Sequence, residues 1–247
     1  MNKKINFTAC VKTVFALVIM AGYPMCANAD PSPGSLEAMT AIGKIDDKAK
    51  LLEIAKNDEN PDMRLYAAWK LDDQALYAEI AKNDKEEYVV RHYIIQKLEN
   101  QTFIADIAQN DDDWRLREVA SGKLDDKELL AKIVKNDAHG LVRRTAMWKL
   151  DDQTLYAEIA KNDRDEDTRR GAVWKLKDQA LRADIAKNDE SEHVREEAVR
   201  NLTNQIVLAE IAKSDENESV RKTAEKQLKK LEAADSSTTA QPKTEEK

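Results

Sequence analysis

One isoleucine sets the organisation of this chain, because it returns at an almost constant interval within the motif EIAKND and its close variants. Its seven copies are Ile54, Ile80, Ile107, Ile133, Ile159, Ile185 and Ile211. Successive copies are 26 residues apart, with a single interval of 27. A fixed period of this size is typical of repeat arrays, in which each unit packs mainly on its neighbours. The spacing therefore predicts a repeat architecture before any local propensity is considered.

Each repeat divides into two segments of helical length, and each segment has one apolar face. Leu155 and Ile159 lie four residues apart in a first segment, and Val194, Ala198 and Leu202 have the same spacing in a second segment. Apolar residues at this spacing predict amphipathic helices. The six glycines and five prolines follow no hairpin pattern. We therefore predict an all-α fold, an α-solenoid of about seven two-helix repeats with a period of 26 residues.

Short polar residues stand at both ends of each first helix. The predicted N-caps, whose side chains can accept hydrogen bonds from free helix N–H groups, are Asp47, Asp73, Asn100, Asp126, Asp152, Asp178 and Asn204. The predicted C-terminal residues, for which we expect the left-handed conformation that Asn tolerates, are Asn57, Asn83, Asn110, Asn136, Asn162 and Asn188.

The first 29 residues have the composition of an export signal. Lysines at positions 3, 4 and 12 surround an apolar run, residues 14–23, that is too short to span a bilayer. Ala27-Asn28-Ala29 resembles a cleavage site for a signal peptidase. We predict export, to the periplasm or, as the alternative, to the medium. The predicted organisation is a signal peptide at 1–29, a linker at 30–34, an N-terminal capping helix at 35–45, the repeat solenoid at 46–231 and a disordered polar tail at 232–247.

The charge balance excludes some classes of partner. The formal net charge is −7, and removal of the three signal lysines leaves 37 basic and 47 acidic residues. Such a chain repels nucleic acid and anionic membrane surfaces. We therefore predict no nucleic-acid partner and no membrane insertion after signal cleavage. Both cysteines, Cys10 and Cys26, lie within the signal, so the exported chain would be stabilised by its packed core without a disulfide.

Every repeat carries an Asp at its turn and an Arg in its second helix. These pairs are Asp58 and Arg64, Asp84 and Arg91, Asp111 and Arg117, Asp137 and Arg143, Asp163 and Arg169, Asp189 and Arg195, and Asp215 and Arg221. Guanidinium groups bind carboxylates through two parallel hydrogen bonds. Since a solenoid repeats its architectural residues and seldom its chemistry, we interpret the set as a structural Asp–Arg ladder.

The pattern V-R-x-x-A-x-x-x-L followed by D-x-x-x-L-x-x-I-A-x-x-D resembles bacterial HEAT-like repeats, in particular the short form of phycobilisome-lyase-type proteins. The resemblance covers residues 35–231, and its columns include Val142-Arg143 and Leu150-Asp151. It implies paired helices in a curved solenoid whose second helices line the partner-binding side. The period of 26 residues is short for a HEAT repeat. Leucine-rich-variant repeats, with one α-helix and one 3₁₀ helix, remain an alternative. The lyase activity of some relatives is not implied, since nothing here matches a bilin site.

One column of the second helices faces away from the predicted core. Positions two residues before and two after the buried Ala lie about 160° from it around the helix. This column contains the predicted partner-binding residues, which are Trp69, Arg144, Trp148, Arg170 and Trp174. Arg144 and Arg170 each precede a tryptophan by four residues, which permits cation–π pairs. Trp and Arg are enriched in binding hot spots, although the indoles would also suit packing between neighbouring helices.

No catalytic constellation is recognisable in the sequence. His92, His139 and His193 lie in different repeats, and the zinc-ligand spacings, the Gly-rich phosphate loop and the nucleophile elbow are absent. We predict no catalytic, metal or cofactor residues. The leading hypothesis is a non-enzymatic exported scaffold that binds a protein partner through the exposed face of its second helices. The alternatives are an enzyme or enzyme-maturation factor, and a tryptophan module that binds a peptide or a sugar.

Overall fold

The computed structural model describes residues 33–83 and 86–239. Within these ranges the chain forms fifteen α-helices and no strand, and it divides between Asn100 and Gln101 into two compact units. The predicted all-α helical-repeat fold class is thereby confirmed. The signal peptide, residues 30–32 of the predicted linker, Asp84 and residues 240–247 of the predicted tail lie outside the described residues.

Unit 1 contains a terminal helix and two helical pairs. Its helices are α1 (Pro33–Gly43), α2 (Lys48–Asn57), α3 (Pro61–Leu71), α4 (Gln74–Lys82) and α5 (Tyr88–Lys97).

Unit 2 contains five helical pairs of the same kind. Its helices are α6 (Gln101–Asn110), α7 (Trp114–Lys123), α8 (Lys127–Asn136), α9 (Gly140–Leu150), α10 (Gln153–Asn162), α11 (Glu166–Lys175), α12 (Gln179–Asn188), α13 (Glu192–Arg200), α14 (Gln205–Ser214) and α15 (Glu218–Thr239).

Within each unit the second helix of a pair packs on its own first helix and on the second helix of the next pair. The second helices contact one another more extensively than the first helices do. A small residue at each such contact permits this close approach. These fully buried alanines are Ala67, Ala120, Ala146, Ala172, Ala198 and Ala224. In α1, Ala38 and Ile42 are buried and Ala41 is exposed.

The first helices begin after the predicted N-cap residues, but their C-terminal Asn residues do not have the predicted left-handed conformation. The side chains that accept backbone N–H groups at the N-caps belong to Asp47, Asp73, Asp126, Asp152, Asp178 and Asn204. The Asn residues at the C-terminal ends are not left-handed, because the only positive-φ residues other than glycine among those described are Asp72 and Asp151. After Asn162, for example, Asp163 is extended and its N–H bonds to the Ile159 carbonyl at 3.1 Å. The prediction of left-handed Asn caps was wrong, since this bond closes the helix without a strained residue.

Asp72 and Asp151 end the second helices α3 and α9, and each has a buried tyrosine partner. The Tyr77 hydroxyl donates to Asp72 at 3.1 Å, and the Tyr156 hydroxyl donates to Asp151 at 2.8 Å. Burial, followed by these hydrogen bonds, raises the pKa of both tyrosines. The left-handed caps therefore occur where a tyrosine from the next helix is available to hold the aspartate.

Both ends of the repeat region are more helical than predicted. Helix α1 begins at Pro33, two residues inside the predicted linker, where proline suits the first helical turn. Helix α15 continues to Thr239, beyond the predicted end of the solenoid at residue 231. The run EKQLKKLEAA consists almost entirely of strong helix formers, which favour continuation of the last helix.

Candidate functional site

The predicted ladder residues meet between neighbouring repeats of unit 2. Arg143 on α9 donates from Nε and Nη2 to the carboxylate of Asp163, at 2.8 Å and 2.6 Å. Its Nη1 donates to the Asp137 carbonyl at 3.0 Å, in the turn of its own repeat. Asp163 also accepts the N–H of Asp165 at 2.9 Å. Each arginine therefore ties the turn of its own repeat to the turn of the next one.

The same arrangement recurs along unit 2. The corresponding Nε–Oδ2 distances are 2.8 Å for Arg117–Asp137, 3.0 Å for Arg169–Asp189 and 3.0 Å for Arg195–Asp215. At the start of the unit, Asp111 accepts the Asp113 N–H at 3.0 Å and the Arg117 guanidinium through its carbonyl at 2.8 Å. At the end, Arg221 donates to the carbonyl of Asp215 at 2.6 Å.

The electrostatics of these pairs match a structural role. The hydrogen bond to Asp137 raises the pKa of Arg117 although burial opposes it. Burial alone would raise the pKa of Asp137, but hydrogen bonds from Arg117 and from the His139 N–H lower it. In the Arg143–Asp163 pair the side chains are only 3% and 4% exposed. The charges are therefore matched and enclosed, and they are not available to a ligand.

Unit 1 builds its ladder from different partners. Arg64 donates from Nη1 to the Asp58 carbonyl at 2.7 Å, but its carboxylate partner is Glu86, at 2.9 Å from Nε. Arg91 is buried and donates from Nε to the Ala81 carbonyl at 2.8 Å. The assignment of Asp84 as a ladder residue lies outside the described residues. In unit 1, Glu86 therefore takes the part that an aspartate of the next turn takes in unit 2.

Two of the predicted partner-binding residues form an exposed aromatic pair in unit 2. Trp148 on α9 is 41% exposed and Trp174 on α11 is 56% exposed. Their ring centroids are 6.2 Å apart and their planes are inclined by 57°. The two rings are therefore in contact across neighbouring repeats, and both are partly exposed to solvent.

A cation lies over each of these rings, but only one of them is the predicted arginine. Arg144 places Cζ 5.3 Å from the centroid of Trp148, as its spacing predicts. Arg170 instead forms an ion pair with Asp167 at 2.8 Å, and the Nζ of Lys175 lies 5.1 Å from the centroid of Trp174. The predicted Arg170–Trp174 pair was wrong, because a carboxylate one turn earlier attracts Arg170. Sequence reasoning missed Lys175, since adjacent helical residues seldom share a face.

Gly171 makes room for this arrangement and was also missed. A Cβ at Gly171 would lie 2.8 Å from Cδ of Arg144 and 3.4 Å from Cζ2 of Trp148. The Trp148 indole N–H points to the Gly171 carbonyl at 3.4 Å. Glycine within a helix costs about 1 kcal/mol relative to alanine. We refer to Arg144, Trp148, Gly171, Trp174 and Lys175 together as the tryptophan shelf.

Trp69, the third predicted tryptophan, lies in unit 1 and is not turned to solvent. It makes edge contacts with Tyr66 and Tyr93, at centroid distances of 5.6 Å and 5.9 Å. Its indole N–H is buried and has no hydrogen-bond acceptor among the described residues. Leu65, which occupies the position that Arg144 occupies in unit 2, is buried as well. The outward orientation predicted for Trp69 was wrong because the neighbouring aromatic side chains cover it.

The described residues offer no other site with recognisable chemistry. Two open recesses lie at the turns of unit 2, and they are lined by ladder residues such as Arg169, Asp189, Arg195 and Asp215. Within ranges 33–83 and 86–239 no group of three or more His, Cys, Asp or Glu side chains is arranged to hold a metal ion. None of the helices described there is both long enough and apolar enough to cross a membrane.

Comparisons with known proteins add little to these observations. No protein-family model matches the chain, and no curated protein matches it. Among solved structures, a designed armadillo repeat protein aligns with 79% of this chain and 98% of its own length, at 14% sequence identity and a TM-score of 0.24. No argument rests on a match of that score, and the fold class rests on the helices themselves.

Proposed function

We propose that this chain is an exported repeat scaffold that binds a protein partner through the outer face of the second helices in unit 2, with the tryptophan shelf at the centre of the contact. The observation that carries the proposal is the side-by-side exposure of Trp148 and Trp174. The other exposed large apolar side chains of the described residues are isolated ones on α2, α5 and α14, namely Leu52, Val89 and Ile206.

The composition of the shelf suits a protein contact. Tryptophan and arginine are the residues most enriched in binding hot spots, and such residues cluster near the centre of an interface. Covering each exposed indole would contribute on the order of 1–2 kcal/mol through burial of apolar area. Two adjacent indoles and two cations within one small area therefore form a plausible anchor for a partner.

The ladder gives the shelf a rigid support. Arg143 immediately precedes Arg144 on α9, and its partner Asp163 lies in the turn that leads into α11. The two helices that carry Trp148 and Trp174 are therefore joined by a buried ion pair. Side chains held in place before binding lose less conformational entropy when a partner arrives.

Export to the periplasm is part of the proposal and is supported by the composition of residues 1–29. It predicts that the mature protein begins at Asp30. Cell fractionation followed by sequencing of the mature N-terminus tests this step independently of binding. Recovery of the full-length chain from the cytoplasm would contradict it.

The binding step is tested by affinity capture from a periplasmic extract, followed by titration of each captured protein in purified form. The double variant Trp148→Ala/Trp174→Ala should lower the affinity for the true partner by at least about tenfold, as expected for a hot-spot contact. The matched control is Ile206→Ala, which removes an exposed apolar side chain on α14 and should leave the affinity unchanged. Equal affinities of wild type and double variant for every captured protein would exclude the shelf as the binding site.

A further inference from the structure

The charges around the tryptophan shelf indicate which kind of protein segment it would accept. We propose that the shelf binds an extended, acidic segment in which two carboxylates bracket an apolar side chain. This inference rests on the proposed function, and it adds the chemistry of the partner.

The two shelf cations differ from the other cations near them. Arg143, Arg169 and Arg195 each bond to an aspartate of the ladder. In contrast, neither Arg144 nor Lys175 forms an ion pair with any of the described residues, and each instead lies over a tryptophan ring.

Other cations on these two helices are already neutralised. Arg170 on α11 is paired with Asp167 at 2.8 Å, and Lys149 on α9 is paired with Asp125 at 3.4 Å. The shelf therefore carries two cations that form no direct ion pair, on a chain whose formal net charge is −7, and the nearby carboxylate of Asp165 feels the charge of Arg144 without a direct bond to it.

A carboxylate of the partner would be stabilised by the two cations and by the tryptophan rings beneath them. It would form charge-assisted hydrogen bonds with Arg144 or Lys175, which are about twice as strong as neutral ones. The cations would keep their positions over the indoles, where the attraction of a cation to an aromatic face grows as water is excluded. A basic segment would be repelled by the same charges.

The geometry also limits the spacing of the two carboxylates. The distances from Arg144 to the Trp148 ring, from that ring to the Trp174 ring, and from there to Lys175 are 5.3, 6.2 and 5.1 Å. Joined end to end, they place the two cations no more than about 17 Å apart. An extended chain advances about 3.3 Å per residue, so the carboxylates would lie no more than about five residues apart.

The exposed tryptophan rings suit the residue in the middle of such a segment. Their centroids are 6.2 Å apart, a contact distance for an aromatic pair, so the two rings form one continuous apolar surface that is open to solvent. An aliphatic or aromatic side chain lying across this surface would bury area on both rings. Gly171 carries no side chain that would cover Trp148.

The test uses the full mature chain and four short synthetic peptides with blocked ends. The first peptide has a central Leu and two Glu residues about four positions apart, a spacing that the extended-chain rise permits. In the others both Glu residues are replaced by Gln, both are replaced by Lys, or the central Leu is replaced by Gly. Affinities are measured by isothermal titration calorimetry at low and at physiological ionic strength.

We expect the Glu peptide to bind about tenfold or more tightly than the Gln peptide, with an advantage that shrinks as salt screens the charges. The variants Arg144→Gln and Lys175→Gln should each reduce this advantage, so that the affinities for the Glu and Gln peptides become closer. The control Lys149→Gln changes a neighbouring cation that is already paired, and it should preserve the advantage. The Gly peptide should bind more weakly than the Leu peptide.

The results separate this inference from the proposed function. Equal binding of the Glu and Gln peptides, both weakened by Trp148→Ala, would overturn the acidic specificity and leave the shelf as a binding site. Tighter binding of the Lys peptide, or no binding of any peptide, would also overturn the acidic specificity. The proposed role of the shelf as the partner-binding site fails if the double tryptophan variant retains every partner with unchanged affinity in the capture experiment.

Discussion

Trp69 in unit 1 and Trp148 in unit 2 occupy the same position of their repeats, but the two indoles have different surroundings. The residue that faces Trp69 from the next second helix is Tyr93, and the equivalent residue facing Trp148 is Gly171. Tyr66 makes a second contact with Trp69. One indole is therefore enclosed by aromatic rings, and the other lies open beside Trp174.

The contrast extends to the residue one turn earlier in each helix. Leu65 is buried near Trp69, whereas Arg144 lies over Trp148. Unit 1 uses its aromatic residues for packing, where each well-placed pair contributes about 0.5–1.5 kcal/mol beyond area burial. In unit 2 the rings of Trp148 and Trp174 remain exposed to solvent. The comparison shows that a repeated position determines where a side chain lies, while its neighbours determine whether it is covered or exposed.

The largest effect should come from the ladder that supports each region. Arg143→Ala leaves Asp163 buried without its partner, and we expect it to lower the free energy of unfolding by about 3–5 kcal/mol. Arg64→Ala should cost less, because the Arg64–Glu86 side chains are 13% and 7% exposed, against 3% and 4% for the Arg143–Asp163 pair. Urea unfolding followed by circular dichroism measures both.

The control for the ladder is Arg170→Ala, which breaks an exposed ion pair with Asp167 and should change the free energy by about 0.5 kcal/mol or less. If Arg143→Ala lowered the free energy of unfolding by as little as this control does, the ladder would not support the repeats.

The second prediction compares the two tryptophan environments directly. Trp69→Ala removes a partly buried indole from an aromatic cluster, and we expect a loss of about 2–4 kcal/mol in the free energy of unfolding. Trp174→Ala removes a ring that is 56% exposed, and we expect a loss of about 1 kcal/mol or less. Denaturant titrations give both values. Similar decreases in the free energy of unfolding for the two variants would show that the covered and the exposed indole contribute equally to stability.

The third prediction exchanges the residue that distinguishes the two regions. Gly171→Tyr should cover Trp148 and lower partner affinity by at least about tenfold, because a side chain at this position would lie against the indole. In unit 1, Tyr93→Gly should uncover Trp69, at a cost of about 1 kcal/mol or more for a helical glycine. Acrylamide quenching of tryptophan fluorescence should fall in the first variant and rise in the second. Unchanged quenching in both would show that these neighbours do not control exposure.

The smallest effect concerns pH and is confined to the aromatic region of unit 1. Burial lowers the pKa of His92 from its ordinary value of 6.5. The unfolded chain therefore binds more protons than the folded one at mildly acidic pH, and stability should decrease as the pH falls below about 6.5. The decrease should be smaller in His92→Gln, as thermal unfolding between about pH 7 and pH 5 can measure. An identical pH dependence in the variant would assign the effect to other groups.

Much of the fold could be predicted because its causes are local. The side chains of Asp152 and Asp178 cap the helices that follow them, and the hydrogen bonds involved reach only two or three residues along the chain. The alanine column is equally local in origin, since the helical period places Ala146 and Ala172 on the buried face.

The ladder could be predicted only in part. Its residue types and spacing are visible in the sequence, but Arg143 binds Asp163 and not the side chain of Asp137, its own turn aspartate. The partner lies 20 residues ahead and becomes a neighbour only when the repeats stack.

Arg182 is the clearest case of a contact that no local pattern predicts. It occupies a core position that holds Tyr77, Tyr156 and Leu208 in other repeats, and it is 6% exposed. It donates to the Asn201 carbonyl at 2.7 Å and to the Val173 carbonyl at 3.4 Å, near the C-terminal ends of α13 and α11. Burial lowers its pKa, and its Nε has no partner among the described residues. Carbonyl groups at the helix ends accept hydrogen bonds from this guanidinium, which makes the arginine tolerable in a core position.

The sequence by itself determined the repeat period, the pairing of helices, the N-caps and the list of side chains from which a site could be built. These features depend on spacing and on bonds within one helix or turn, and both can be read along the chain. Only the tertiary structure decided that Trp148 is open and Trp69 covered, and that Lys175 lies over Trp174 where Arg170 was expected. The exposure of the two indoles depends on side chains from the next repeat, whose positions exist only after the helices have packed. The exchange of Arg170 for Lys175 is decided within α11, where Asp167 pairs with Arg170 and spacing alone does not show which partner the arginine takes.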